Sequence, residues 1–246
     1  MKRNMDALEL VRLQAAAWGL RLEGNRLARL EGFARSLGSY EEANVIGTRE
    51  VRKILLDHVL DSLSCFLFEP LGVAERLADV GTGGGLPGVP IKIVAPRTEV
   101  TLVESVAKKA RFLQRAIDGL SLQDTTVLNA RVEEASRTAE HRAAYNIATA
   151  RAVARLSVVA EYCVPLLRVG GHVVSMKGRL GDEELSEGEK AAKTLGAKVS
   201  TLIPVPRLSE RGEKDRCLVI LEKVEDTPAK YPRKVGMPAK NPLGVV

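Results

Sequence analysis

Apolar residues change their spacing about a quarter of the way along the chain. Before residue 70 the recurrence is helical: Met5, Leu8, Val11 (or Arg12), Ala15 and Trp18 fall three or four apart, and Gly19 closes the run. Residues 22–37 predict a second helix closed by Gly38. Residues 50–67 predict a third, with Val51, Ile54, Leu55, His58, Val59 and Ser62 on related faces. With no strand signal there, residues 1–70 form a helical cap. From Ala74 strand and helix alternate: strands at 74–80, 99–104, 125–129, 145–150 and 171–177, helices at 89–95, 106–120, 154–167 and 182–195. Strands at 199–205 and 216–223 close the series, and their polar connection (Ser209 to Asp215) suits an antiparallel hairpin. Residues 71–224 therefore predict a doubly wound α/β domain, a mostly parallel sheet with a C-terminal antiparallel hairpin. Residues 225–246 form a basic, proline-rich tail.

The chemistry concentrates at the end of the first strand, in Asp79-Val80-Gly81-Thr82-Gly83-Gly84-Gly85-Leu86-Pro87-Gly88. Glycines let the backbone turn tightly and approach a ligand without a Cβ in the way. Strand, glycine-rich turn and helix form the nucleotide-cofactor corner of such a sheet. Gly83, Gly85 and Gly88 also satisfy the dinucleotide pattern, so the spacing alone leaves the cofactor open. Charge favours S-adenosylmethionine: Asp79, expected at the mouth of the turn, repels a pyrophosphate and attracts a sulfonium or ammonium. One strand later, Glu104 ends an alternating run about 20 residues beyond the first glycines, where a ribose-binding carboxylate is expected. The bland alternative is a polar strand terminus.

Composition narrows the class. Forty-five per cent apolar and 28% charged residues over 246 positions describe an ordinary globular chain with room for one α/β domain and an appendage. No apolar run approaches a membrane span, and the charged first ten residues lack a signal core, so a cytoplasmic, membrane-free protein is expected. Cys65, Cys163 and Cys217 read as reduced core cysteines; His58, His141 and His172 are too dispersed for a metal site. Net charge is +6, and the tail after Asp226 carries Lys230, Arg233, Lys234 and Lys240 with no acid. Pro228, Pro232, Pro238 and Pro242 predict an extended, non-helical strand suited to lie along phosphates; the alternatives are a disordered solubilising tail, or Tyr231 and the prolines packing the tail onto the domain.

Several segments together resemble the RsmG family, once called glucose-inhibited division protein B. They are Asp79 to Pro90, Arg111-Phe112-Leu113, Arg131-Val132-Glu133-Glu134, Ala150-Arg151-Ala152-Val153-Ala154, Met176-Lys177-Gly178 and Lys230-Tyr231-Pro232-Arg233-Lys234. The likeness runs from about Asn44 to the C-terminus; the earlier helices match only in character. It implies a Rossmann-like methyltransferase that uses S-adenosylmethionine on N7 of a guanine in the decoding-centre hairpin of 16S rRNA, guanine 527 by that resemblance. It also implies that Gly81 and Leu86 contact the cofactor through the turn, and that Glu104, Ser105 and Val106 surround its ribose and adenine. Val132 and Glu133 then close the adenine pocket, and Arg151 faces the transfer site. The segment Asn44-Val45-Ile46-Gly47-Thr48 and the pair Asp57-His58 depart from the family pattern.

Guanine N7 carries a lone pair and no proton, so methyl transfer needs alignment more than acid–base help. Arg151, with Lys177 one strand over, is the expected holder of guanine O6 or a phosphate, and Arg155 extends that surface. His58 and Asp61 share a helical face and read as a structural pair. A monomer acting on 16S rRNA or the small ribosomal subunit, without metal, is the default expectation. Two rivals remain: an RNA-binding or ribosome-assembly factor with a vestigial cofactor site, and an NAD-dependent oxidoreductase. The second needs an uncharged strand end before the glycines and a substrate domain after the sheet.

Overall fold

The computed structural model describes residues 6–206 and 216–245; Met5 and the connection 209–215 lie outside the described residues. Seven strands form one sheet: β1 (Arg76–Val80), β2 (Glu99–Val103), β3 (Thr125–Leu128), β4 (Tyr145–Arg151), β5 (Leu167–Lys177), β6 (Ala197–Pro204) and β7 (Cys217–Lys223). Their order is β3-β2-β1-β4-β5-β7-β6. The first five are parallel; β7 runs antiparallel to both β5 and β6, which is the anticipated hairpin. The strand order reverses between β1 and β4, the switch point where open α/β sheets bind ligands.

Both faces of the central strands are buried, while the edge strands β3 and β6 are largely half-buried or exposed, and the period-2 alternation divides the central strands between two cores. Leu77, Val100, Ile147, Val174 and Ile220 face one side, together with Leu30, Phe33, Leu37 and Ile54 from the N-terminal helices. Ala78, Val103, Ala148, Val173 and Val219 face the other, together with Leu156, Ala191 and Tyr231. The cap thus shares a continuous core with the sheet.

Boundaries moved where local chemistry outweighed periodicity. The first helix is Ala7–Ala17, and Gly19 follows it at φ +77° with its amide on Ala16 O, a left-handed ending. The second, Arg26–Ser39, starts later than expected and runs through Gly38. The third is an α turn at Val51–Lys53, a π-helical segment at Ile54–Val59, another α turn at Leu60–Leu63 and a 3₁₀ ending at Ser64–Leu67. Such π segments are frequent at functional sites. The helix after β4 stops at Cys163 because Pro165 lies just beyond, and β5 begins at Leu167, earlier than expected.

Candidate active site

Three glycine-region residues after β1 have left-handed backbones: Gly81 (φ +65°), Gly83 (φ +59°) and Gly85 (φ +88°). Their roles differ. A Cβ on Gly81 would lie 3.0 Å from Val153 Cγ2, on the exposed face of the turn. A Cβ on Gly85 would meet Val89 at 2.7 Å, and one on Gly88 would meet Leu102 at 2.4 Å, both inside the fold. The dinucleotide-like spacing of Gly83, Gly85 and Gly88 is therefore partly a packing requirement of the turn and the helix Gly88–Val94. Leu86 is also buried against that core.

Asp79 is not at the mouth, which corrects the sequence expectation. It is fully buried; Oδ2 accepts from the Gly88 amide at 2.8 Å and from Thr82 Oγ1, while Oδ1 accepts from Thr149 Oγ1 at 2.8 Å. The carboxylate clamps both ends of the turn and joins β4 to it. Burial pushes its pKa up to about 6, against the pull of those hydrogen bonds. The acid that brackets the turn's backbone is Glu104, itself only 6% exposed. Its Oε2 accepts from the Gly83 amide at 3.0 Å and its Oε1 from the Val106 amide at 2.7 Å, and Asn129 fixes its carbonyl at 2.8 Å. Ser105 and Val106 are exposed next to it, and the Val106 side chain offers an apolar surface of the kind an adenine ring covers. The open turn at Gly81, the Glu104 carboxylate and this apolar lip fit S-adenosylmethionine.

Beside the turn, at the C-terminal ends of β4 and β5 and the N-terminal end of the antiparallel β7, lies a cleft of about 1160 Å³. Val153 lines it and also abuts Gly81, so one side chain forms the wall between turn and cleft. Lys53, Arg151, Lys177, Arg179 and Arg216 give the lining five cations against two carboxylates, Asp57 and Asp61. The preceding residue of that wall, Ala152, has φ +53°, an uncommon left-handed conformation for a residue with a Cβ. Arg151 ends β4 with its Nη1 3.5 Å from Asp61 Oδ2 and 3.4 Å from His58 O; burial pulls its pKa down. Arg216 pairs with the other oxygen of Asp61. The helical cap thus contributes Lys53, His58 and Asp61 to the cleft. Sequence reading left His58 and Asp61 as a structural pair and did not single out Arg216. Asp61 lies in Leu60-Asp61-Ser62, a stretch that matches the family pattern, but Arg216 lies in no motif, and only the fold brings β7 and the π-containing helix together.

The profile described as rRNA small subunit methyltransferase G matches residues 26–211. The chain belongs to this family. The Ribosomal RNA small subunit methyltransferase G of Rubrobacter xylanophilus is 58% identical over 239 residues, covering 97% of this chain and 92% of that protein. The protein of the same description from Roseiflexus castenholzii is 42% identical, covering 96% and 99%. Among solved structures, a MtNAS variant in complex with S-adenosylmethionine aligns with a TM-score of 0.53 at 14% identity, covering 89% of this chain and 78% of that one, a likeness of fold.

Within the rRNA small subunit methyltransferase G frame, other expected site residues divide. Val132 and Glu133 open the helix Val132–Ala135, but the Glu133 carboxylate turns away to the tail and accepts from the Gly236 amide at 3.0 Å. Only the backbone of this pair is left to face a ligand. Lys177 is not a free phosphate ligand: its ammonium donates to Ala154 O at 2.6 Å and to Glu184 Oε1 at 2.7 Å. Arg155 is half-exposed and paired at 2.7 Å with Glu187, whose side chain is only 10% exposed.

The tail follows the packed alternative rather than the phosphate-strand reading. It is neither a free extended strand nor non-helical: it folds onto the domain and forms the helical turn Met237–Lys240. Arg142 donates to Thr227 O at 2.9 Å and Tyr231 O at 2.8 Å, and Tyr231 is buried. Arg233 points inward. Its guanidinium brackets the fully buried Glu161, Nε to Oε1 at 2.9 Å and Nη2 to Oε2 at 2.6 Å, while its amide meets Oε1 at 2.8 Å. Arg233 is therefore a tether. Lys230 stacks its ammonium 5.3 Å from the Tyr231 ring centroid, and Lys234 and Lys240 are exposed. No described helix is long and apolar enough to cross a membrane.

Proposed function

We propose that this chain transfers the methyl group of S-adenosylmethionine to N7 of a guanine in small-subunit ribosomal RNA, guanine 527 of 16S rRNA by the family resemblance. The observation that carries the reading is the shared Val153 wall, which sets the cofactor turn at Gly81 directly beside a basic cleft. When bound, the cofactor supplies an electrophilic methyl group on a sulfonium. The chain's own residues supply alignment. Glu104 holds the ribose hydroxyls, the Gly81 backbone admits the methionine end, and the Val106 lip covers the adenine. Arg151 addresses the guanine O6 edge, because a donor on N7 itself would occupy the attacking lone pair. Lys53 and Arg179 at the cleft, with Lys234 and Lys240 on the tail, provide cations for the RNA backbone.

Incubation with methyl-labelled S-adenosylmethionine tests the reading, with small ribosomal subunits in one arm and deproteinised 16S rRNA in the other. Label in either RNA supports it and identifies the substrate form, and Arg151→Ala should remove most of that incorporation. Label in neither arm, from protein shown to bind the cofactor, rejects it and favours an RNA-binding assembly factor.

A further inference from the structure

The cleft holds an acid at a place where a basic RNA-binding surface has no need of one. Asp61 lies on the cap helix with its side chain only 9% exposed, lines the cleft, and has Arg151 on one carboxylate oxygen and Arg216 on the other. Two guanidinium groups thus flank one largely buried carboxylate, and removing either leaves a charge there with less compensation.

The groups stand in an order. First comes the turn at Gly81 with its Val153 wall. Arg151 follows at the end of β4, within the field of both Asp79 beneath the turn and Asp61 on the cap. Asp61 comes last. The edge of guanine presents its groups in the same sequence: N7 acceptor, O6 acceptor, then the N1–H and exocyclic N2–H donors. Adenine presents an amino donor where guanine has O6 and an acceptor where guanine has N1–H, so it would set donor against guanidinium and lone pair against carboxylate.

We propose that Asp61 is the specificity residue for the target base, its carboxylate accepting from N1–H and N2–H of a guanine whose O6 faces Arg151 and whose N7 faces the cofactor turn. This rests on the functional reading above and adds the residue that selects the base. A buried carboxylate also suits the direction of charge flow. Attack by N7 moves positive charge from the sulfonium onto the purine, which makes N1–H more acidic. A hydrogen bond from N1–H to Asp61 therefore strengthens as the methyl group is transferred, the condition for an interaction to speed the reaction rather than only bind substrate. Arg216, released from Asp61 by the incoming donors, is then placed to meet a flanking phosphate.

The test uses small subunits reconstituted with guanine, inosine or 7-deazaguanine at the methylated position, assayed with wild-type protein and with Asp61→Asn. Inosine keeps N7, O6 and N1–H but lacks the exocyclic amine. Wild type should methylate inosine slower than guanine by roughly tenfold or more, the discrimination expected of one arm of a bidentate base contact. Asp61→Asn should be slower on guanine and should lose most of that discrimination, with cofactor affinity unchanged within about twofold. Equal wild-type rates on guanine and inosine would overturn the proposal, as would an Asp61→Asn protein that keeps the wild-type ratio. Should Asp61→Asn fail to fold, the wild-type inosine ratio alone decides. Methylation of the 7-deazaguanine subunits would instead sink the N7 reading itself.

Discussion

Replacing Arg233 by alanine separates a tether from an RNA contact. In the structure its guanidinium is the charged partner of Glu161, a side chain with no solvent exposure. Removing one partner of a buried ion pair typically costs about 3–5 kcal/mol, because the other charge stays buried and uncompensated. Here the Arg233 amide would still donate to Glu161 at 2.8 Å, so the low end, about 3 kcal/mol, is the appropriate figure. For a chain of this length each kcal/mol shifts the melting temperature by about 2–4 °C, so a fall of roughly 6–12 °C is expected. Thermal melting followed by circular dichroism reads the shift. Titration with 16S rRNA at two salt concentrations reads the other possibility. A lost phosphate contact would flatten the log–log salt dependence by about 0.7–0.9. Arg233→Ala should leave that slope unchanged, whereas Lys234→Ala, an exposed residue, should leave the melting temperature unchanged. An Arg233→Ala protein with wild-type melting and a shallower salt slope would refute the tether argument.

Gly81→Val places a branched side chain at φ +65°, with its Cβ 3.0 Å from Val153 Cγ2; calorimetry should show at least a tenfold weaker S-adenosylmethionine affinity, about 1.4 kcal/mol, in a protein that still folds. Glu104→Ala removes the ribose acceptor and the bracket between the Gly83 and Val106 amides; at about 1.5–3 kcal/mol for each charge-assisted bond, affinity should drop by ten- to a hundredfold or more. Asp79 gives a pH signature. Its folded pKa is raised from 3.8 to about 6, so the folded protein binds the proton more tightly and this group's contribution to stability declines as pH rises from about 4 to 7. The amide of Asp79→Asn does not titrate, so the penalty of that substitution, measured by denaturant unfolding, should be largest near pH 4 and shrink by up to about 3 kcal/mol by pH 7.5. A penalty that stays constant across that range would contradict the assignment.

Most of the fold was legible because periodicity reports burial, which is strongest in the central strands and weakest at the edges β3 and β6. The glycine-rich turn was legible for a different reason: left-handed backbones at Gly81 and Gly83 admit little else. What the pattern could not show was direction. Asp79 and Glu104 both lie at strand ends, yet one is enclosed by Thr82, Thr149 and Gly88 while the other brackets the Gly83 and Val106 amides. The tail misled in the same way, since Arg233 and Lys234 read alike in sequence and only the buried Glu161 tells them apart. The cleft was least visible. Asp61, Arg151 and Arg216 come from three distant segments, and nothing local to any of them announces the others.

The central claim is that the Gly81 turn and the basic cleft together methylate guanine N7, and site-directed chemistry on the product tests it most directly. N7-methylguanosine is cleaved selectively by borohydride reduction followed by aniline, and primer extension then reads the position in 16S rRNA from treated small subunits. The account predicts one new stop that depends on protein and cofactor, at a guanine, absent with Gly81→Val. Transfer of label without any aniline-sensitive site, or a stop at a base other than guanine, would contradict it.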